Sequence, residues 1–128
     1  MSIRTLEAED LKRIHAYLTE QEGGNPDVCN EWVLDGLKNI FSGDTEDFTW
    51  GSAAMMHLAY ICHTQPFYDK NEQVALMAAE VFLRMHDKEM GLTDDEAVKL
   101  VRDVSARRLN GQELLTALKG KVYQIEED

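Results

Sequence analysis

From about Asn71 to Met85 the chain reads Val74-Ala75-Leu76-Met77-Ala78-Ala79 and then Val81-Phe82-Leu83, apolar on nearly every side of a helix. A helix without a polar face must be enclosed by neighbours, so this segment belongs at the centre of a bundle. A second dense apolar stretch, about Trp50 to His63, carries Ala53, Ala54, Met55, Met56, Leu58, Ile61 and Cys62 and runs into a turn at Pro66. The rest of the chain has to be read as the material that covers this pair.

Four further segments have helical periodicity. The first, about Glu7 to Gln21, takes Thr5 as its N-cap, presents Leu11, Ile14 and Leu18 as one stripe, and is stopped by Gly23-Gly24-Asn25-Pro26. The second, about Asn30 to Phe41, carries Val33, Leu37, Ile40 and Phe41 on one face; Ser42-Gly43-Asp44 ends it, and the acidic run to Asp47 reads as a solvated loop. Thr93-Asp94-Asp95-Glu96 is a capping box with Leu92 placed as a staple, which starts a helix reaching about Arg107. Asn110-Gly111-Gln112-Glu113 repeats that logic for a last helix through Leu114, Leu115 and Leu118, ended by Gly120. No segment alternates over strand length, and no repeat or linker divides the chain. The expected fold is all-α, one domain over 1–128, about six helices around a central and most buried helix at about 71–85. The tail, about 121–128, is expected to fray.

Charge narrows the partners. There are 24 acidic against 13 basic residues, a net charge of -11. Such a field repels nucleic-acid phosphates and anionic lipid unless a basic patch intervenes. The nearest candidate, Arg102 with Arg107-Arg108, is diluted by Asp103, so neither direct nucleic-acid binding nor a membrane partner is expected. Met1-Ser2-Ile3-Arg4 has no apolar signal core, and no apolar run nears the roughly 18 residues of a membrane helix. A soluble, cytoplasmic protein is expected, with Cys29 and Cys62 as reduced thiols.

The turn between the two apolar helices is the informative motif. Gln65-Pro66-Phe67-Tyr68-Asp69-Lys70-Asn71-Glu72-Gln73 leads into a helix N-terminus, where backbone N–H groups without intrahelical partners and the positive end of the dipole favour anions. It resembles the signature of the Fic/Doc (death-on-curing) family, H-P-F-x-[DE]-G-N-[GK]-R. Pro66, Phe67, Asp69 and Asn71 match it; Gln65 stands at the His, Lys70 at the Gly, and Glu72-Gln73 replaces Gly/Lys-Arg. Thr5 to Leu11 with Ile14-His15 and Gly23-Gly24-Asn25-Pro26 looks like the family's first helix and its Gly-Gly-Leu-Pro turn. The Leu34 to Leu37 pattern, Ala75-Leu76 with Val81-Phe82-Leu83, and Asn110 to Leu114 are similar to later family elements, so the resemblance covers nearly the whole chain.

In active members of that family the His takes a proton from a target hydroxyl, the acidic residue binds magnesium, the turn holds phosphates and the Arg neutralises them. Gln65 has no titratable lone pair, so proton abstraction is lost there. Glu72 inverts a charge and Gln73 removes the guanidinium fork. By the resemblance, the motif positions of interest are Gln65, Asn71 and Gln73, with Asp69 as the magnesium candidate and Lys70 and Asn71 as the phosphate candidates. His63 would serve as base in a register two residues longer; its plainer reading is a helix C-terminal residue whose imidazole meets the last carbonyls. His57, Cys62 and His63 lie on different faces and do not read as a metal site. His15 and His86 read as helix-surface or cap residues, the methionines and Phe82 as core, Phe67 as the anchor of the turn, and Trp32 and Trp50 as either core or interface.

The resemblance therefore implies a catalytically degenerate domain, without a cofactor, that binds another protein in a toxin–antitoxin or phage-defence setting. Its partner would be an antitoxin-like helix in a groove or a basic protein. One alternative is an active phospho- or nucleotidyl-transferase that modifies a protein hydroxyl with Mg-ATP. Another is an acidic nucleic-acid mimic.

Overall fold

The computed structural model describes residues 3–41 and 48–126. Its elements are α1 (Ala8–Glu22), α2 (Glu31–Gly36) continuing as a 3₁₀ segment (Leu37–Phe41), α3 (Trp50–Thr64), α4 (Asn71–Met85), β1 (Lys88–Met90), α5 (Asp94–Ser105), α6 (Gly111–Thr116) and β2 (Val122–Gln124). The molecule is mostly helical, as expected, and α3 and α4 lie against each other through its core. The Ser42-Gly43-Asp44 stop and the acidic run to Asp47 lie outside the described residues.

Local chemistry sets most boundaries. Thr93 and Asn110 accept the N3 amides of Glu96 and Glu113, and those carboxylates accept the cap amides in return, so α5 and α6 start where the capping boxes stand. α3 has an unexpected third box, Thr49 with Ser52. α1 begins after Glu7, whose amide donates to Asp10 Oδ2 at 2.8 Å, and not at a Thr5 cap. The reason is tertiary: Leu6 is buried and its amide donates to His57 Nε2, which holds the preceding residues off the helix axis. α2 gives way to the tighter 3₁₀ form after Gly36. A Cβ at Gly36 would collide with Tyr60 Oη, which crosses there to donate to the Val33 carbonyl at 2.6 Å.

Two expectations need correction. The most buried helix is α3, with ten of its fifteen residues buried, against six of fifteen in α4. α3 is covered by α4, α5, α6 and the 3₁₀ segment, and its small residues Gly51, Ser52, Ala53, Ala54 and Ala59 allow that approach. The other concerns the tail, of which residues 121–125 are held by backbone hydrogen bonds. β2 pairs antiparallel with β1, Lys88 opposite Gln124 and Met90 opposite Val122, flanked by bonds from Gly91 N–H to the Lys121 carbonyl and from Ile125 N–H to the Asp87 carbonyl. Three-residue strands are too short to show alternation in a sequence. Asp87, at φ 60°, turns the chain from α4 into β1, and the Tyr123 ring lies over Gly91 where a Cβ would stand.

Candidate functional site

The turn between α3 and α4 is built by four hydrogen-bonding groups and one ring. Gln65 closes α3 in the left-handed region, its amide donating to the Ile61 carbonyl at 3.0 Å. The Pro66 carbonyl accepts from the amides of Cys29 (2.8 Å) and Asn30 (3.0 Å), which ties the turn to the entrance of α2. Phe67 is buried, forms an isolated antiparallel bridge with Val28, and stacks on His15 with ring centroids 4.0 Å apart. Asn71 clamps the turn across its mouth: Oδ1 accepts the Phe67 amide at 3.1 Å and Nδ2 donates to the Phe67 carbonyl at 2.9 Å.

Asp69, its side chain 37% exposed, reaches across this turn. Oδ2 accepts the Asn25 amide at 3.0 Å, and Oδ1 lies 3.5 Å from His15 Nε2. The Asn25 amide, more than any other neighbour, holds the Asp69 carboxyl below its ordinary range; His15 and Lys70 add to it. Gly24 (φ 121°) lies directly beneath, where a Cβ would collide with the carboxylate. Lys70 adopts a left-handed conformation (φ 62°), the backbone form a glycine takes most readily, and its ammonium lies 3.5 Å from Glu22 Oε2. Lys70→Gly is therefore expected to change stability by no more than about 1 kcal/mol, relief of the backbone offsetting the lost ion pair. Lys70→Val, β-branched at positive φ, should lose about 2 kcal/mol or more. Thermal unfolding of the two variants checks this order; a valine variant as stable as the glycine one would show that the left-handed turn is not enforced.

His63 does not complete the turn. It donates from Nε2 to the Val104 carbonyl at 3.1 Å, at the end of α5 and not of its own helix, so its imidazole joins α3 to α5. His15 departs further from expectation: at 2% exposure it is interior. Its position was visible in principle, since 15 lies four residues after Leu11 and three before Leu18, on the same helix face as that stripe. His86 is the C-cap of α4 by its backbone amide, which donates to the Leu83 carbonyl, while its imidazole donates to the Arg4 carbonyl at 2.9 Å and ties the helix end to the N-terminal segment. His57 is fully buried between Ala53, Leu6 and the Phe41 and Phe82 rings. Cys29 is exposed, Cys62 is buried, and both are free thiols; burial pushes the Cys62 thiol up to about 11. The two tryptophans divide: Trp50 packs at the core margin against His86, whereas Trp32 is 77% exposed.

No family model and no curated protein matches this chain. The turn must therefore be judged on its own chemistry. Magnesium needs free carboxylate oxygens and a triphosphate needs uncompensated positive charge. Both oxygens of Asp69 face donors of the fold, Lys70 is paired with Glu22, and Glu72 brings a further carboxylate into the first turn of α4. Gln65 and Gln73 are exposed and uncharged. Among the described residues no three His, Cys, Asp or Glu side chains gather. The residues present do not fit a magnesium nucleotide. What they do fit is a lock that holds α1, the 23–30 loop and the α3–α4 corner together.

Proposed function

We propose that this chain is a catalytically idle Fic/Doc-like domain that works by binding another protein. One observation carries the reading: Pro66, Phe67, Asp69 and Asn71, the residues that match the family signature, are all engaged in contacts that hold the turn, while large aromatics beside the turn are left open. Trp32 is 77% and Tyr68 59% exposed. Each lies two residues from a partner in the hydrogen bonds between Pro66 and the Cys29–Asn30 amides, so both belong to the neighbourhood of the turn. Exposed Trp and Tyr are the side chains that most often anchor protein interfaces, and a chain of net charge -11 favours a basic partner.

The test has two arms. Isothermal titration with Mg-ATP, Mg-GTP and Mg-UTP should give no saturable heat; affinity tighter than about 1 mM, the -4.1 kcal/mol scale, would revive the transferase alternative. Co-expression with the products of neighbouring genes should yield a complex that Trp32→Ala with Tyr68→Ala weakens at least about tenfold. A complex indifferent to both substitutions would place binding elsewhere and remove the support for this face.

A further inference from the structure

We infer that the groove at the opposite end of α3 binds a small apolar anion, a hydrophobic body with one negatively charged end. This is independent of the protein-binding reading. α3 is fifteen residues long, so at 1.5 Å per residue the groove lies about 20 Å from the Gln65 turn, and it shares no lining residue with that turn. There the start of α3, the chain after α6 and the β1–β2 pair surround a space of about 790 Å³, within the range of small-molecule sites.

Its walls are Trp50, Leu115, Leu118 and Val122. Leu118 is held against α3 by Gly51, where a Cβ would stand 3.3 Å from Leu118 Cβ, so this wall is set by packing and not by a mobile side chain. Leu115 remains 40% exposed at the edge, apolar surface that α6 does not cover. Among the described lining residues the charge is opposite in sign to that of the protein. Although acidic residues outnumber basic ones by 24 to 13, the described residues that line it include Lys88 and Lys119 and no carboxylate. Lys88 Nζ stands 6.0 Å from the Trp50 ring centroid and donates to the Gln124 side-chain amide, a neutral acceptor, and no carboxylate among the described residues pairs with it. An anion end between the two ammonium groups would gain charge-assisted hydrogen bonds while its apolar body covers Trp50, Leu115 and Val122 over a floor set by the buried Leu118. Two lysines act as point charges without a planar fork, so they suit a carboxylate or a similar compact head.

The chain has two tryptophans, so in Trp32→Phe, altered far from the groove, Trp50 emission reports on the groove alone. Decanoate, titrated below its micelle threshold, should shift that emission saturably, and decanol and decyltrimethylammonium should bind at least about tenfold more weakly, the ratio that one charge-assisted bond sustains. Lys88→Met and Lys119→Met, each keeping an unbranched stem, should each weaken decanoate about fivefold or more and leave decanol unchanged. Added salt should weaken decanoate and not decanol. Circular dichroism confirms that each variant is folded; if one is not, the other lysine variant and the salt series decide. Absence of a saturable shift, equal binding of the alcohol, or decanoate affinity indifferent to both lysines and to salt overturns the proposal.

Discussion

Phe67→Ala is expected to cost about 3–5 kcal/mol of stability, a large share of what a domain of this size possesses. The ring is 2% exposed and stacks face to face on His15, so alanine would leave a cavity bounded by an imidazole that has its own bond to keep. The surroundings resist collapse because the backbone of the turn is held from three directions: by Asn71, by the Val28 bridge and by the amides on the Pro66 carbonyl. Urea unfolding of the variant measures the loss. A cost below about 1.5 kcal/mol would mean that the turn closes over the missing ring, and that its lock on α1 is weaker than the contacts imply.

Acid should begin to destabilise the protein through His57 as pH falls below about 6.5, above the range in which carboxylates ordinarily protonate. Burial lowers the His57 pKa from its ordinary 6.5 to about 4, against a smaller opposing effect of the Ala53 carbonyl, and His86 lowers it slightly further. The hydrogen bonds explain why no charge is welcome. Nε2 accepts the Leu6 amide at 3.3 Å, which requires the proton to reside on Nδ1, where it is donated to the Ala53 carbonyl at 2.8 Å. Protonating Nε2 would set N–H against N–H inside the core. The folded pKa lies below the unfolded one, so the unfolded chain binds the proton first as pH falls. The contribution is complete above about pH 6.5 and is lost progressively down to about pH 4, at about 1.36 kcal/mol per unit, or about 3 kcal/mol in all. Glu80, raised by its half-burial, acts in the opposite sense, and Asp69, Glu96 and Asp103, held below their ordinary range by hydrogen bonds, lose their contributions at lower pH. The comparison to make is therefore chemical denaturation from pH 7.5 to 4.5 for the parent and for His57→Gln. The variant should start less stable and show the flatter profile. Parallel profiles would mean that His57 takes up its proton inside the core.

Helix positions were legible because their causes are local. The capping boxes at Thr93 and Asn110, the Gly23 stop and the Pro66 turn each act through a few neighbouring residues, and α4 begins and ends where its apolar run does. The pairing of β1 with β2 was not legible, since the hydrogen bonds that hold residues 121–125 come from a segment thirty or more positions earlier. The turn was recognisable as a helix start facing a chemically altered motif, but residue types at 65–73 do not state which way the side chains face. Asp69 became a structural acceptor, and Lys70 a paired cation, only when α1 and the 23–30 loop arrived beside them.

From its sequence alone this protein is an acidic, mostly helical chain, with two apolar helices joined at Pro66 and no titratable base at Gln65. Periodicity, caps and charge are properties of a residue and its near neighbours, which is why they survive without coordinates. Tertiary structure alone decided that α3 is the most enclosed helix, that His15 and His57 are interior, and that the lysines 88 and 119 share an apolar groove from which the described carboxylates are absent. Each of these depends on contacts between residues distant in sequence, and burial, proton affinity and the sign of a local field are set by whichever groups the fold brings within a few ångströms.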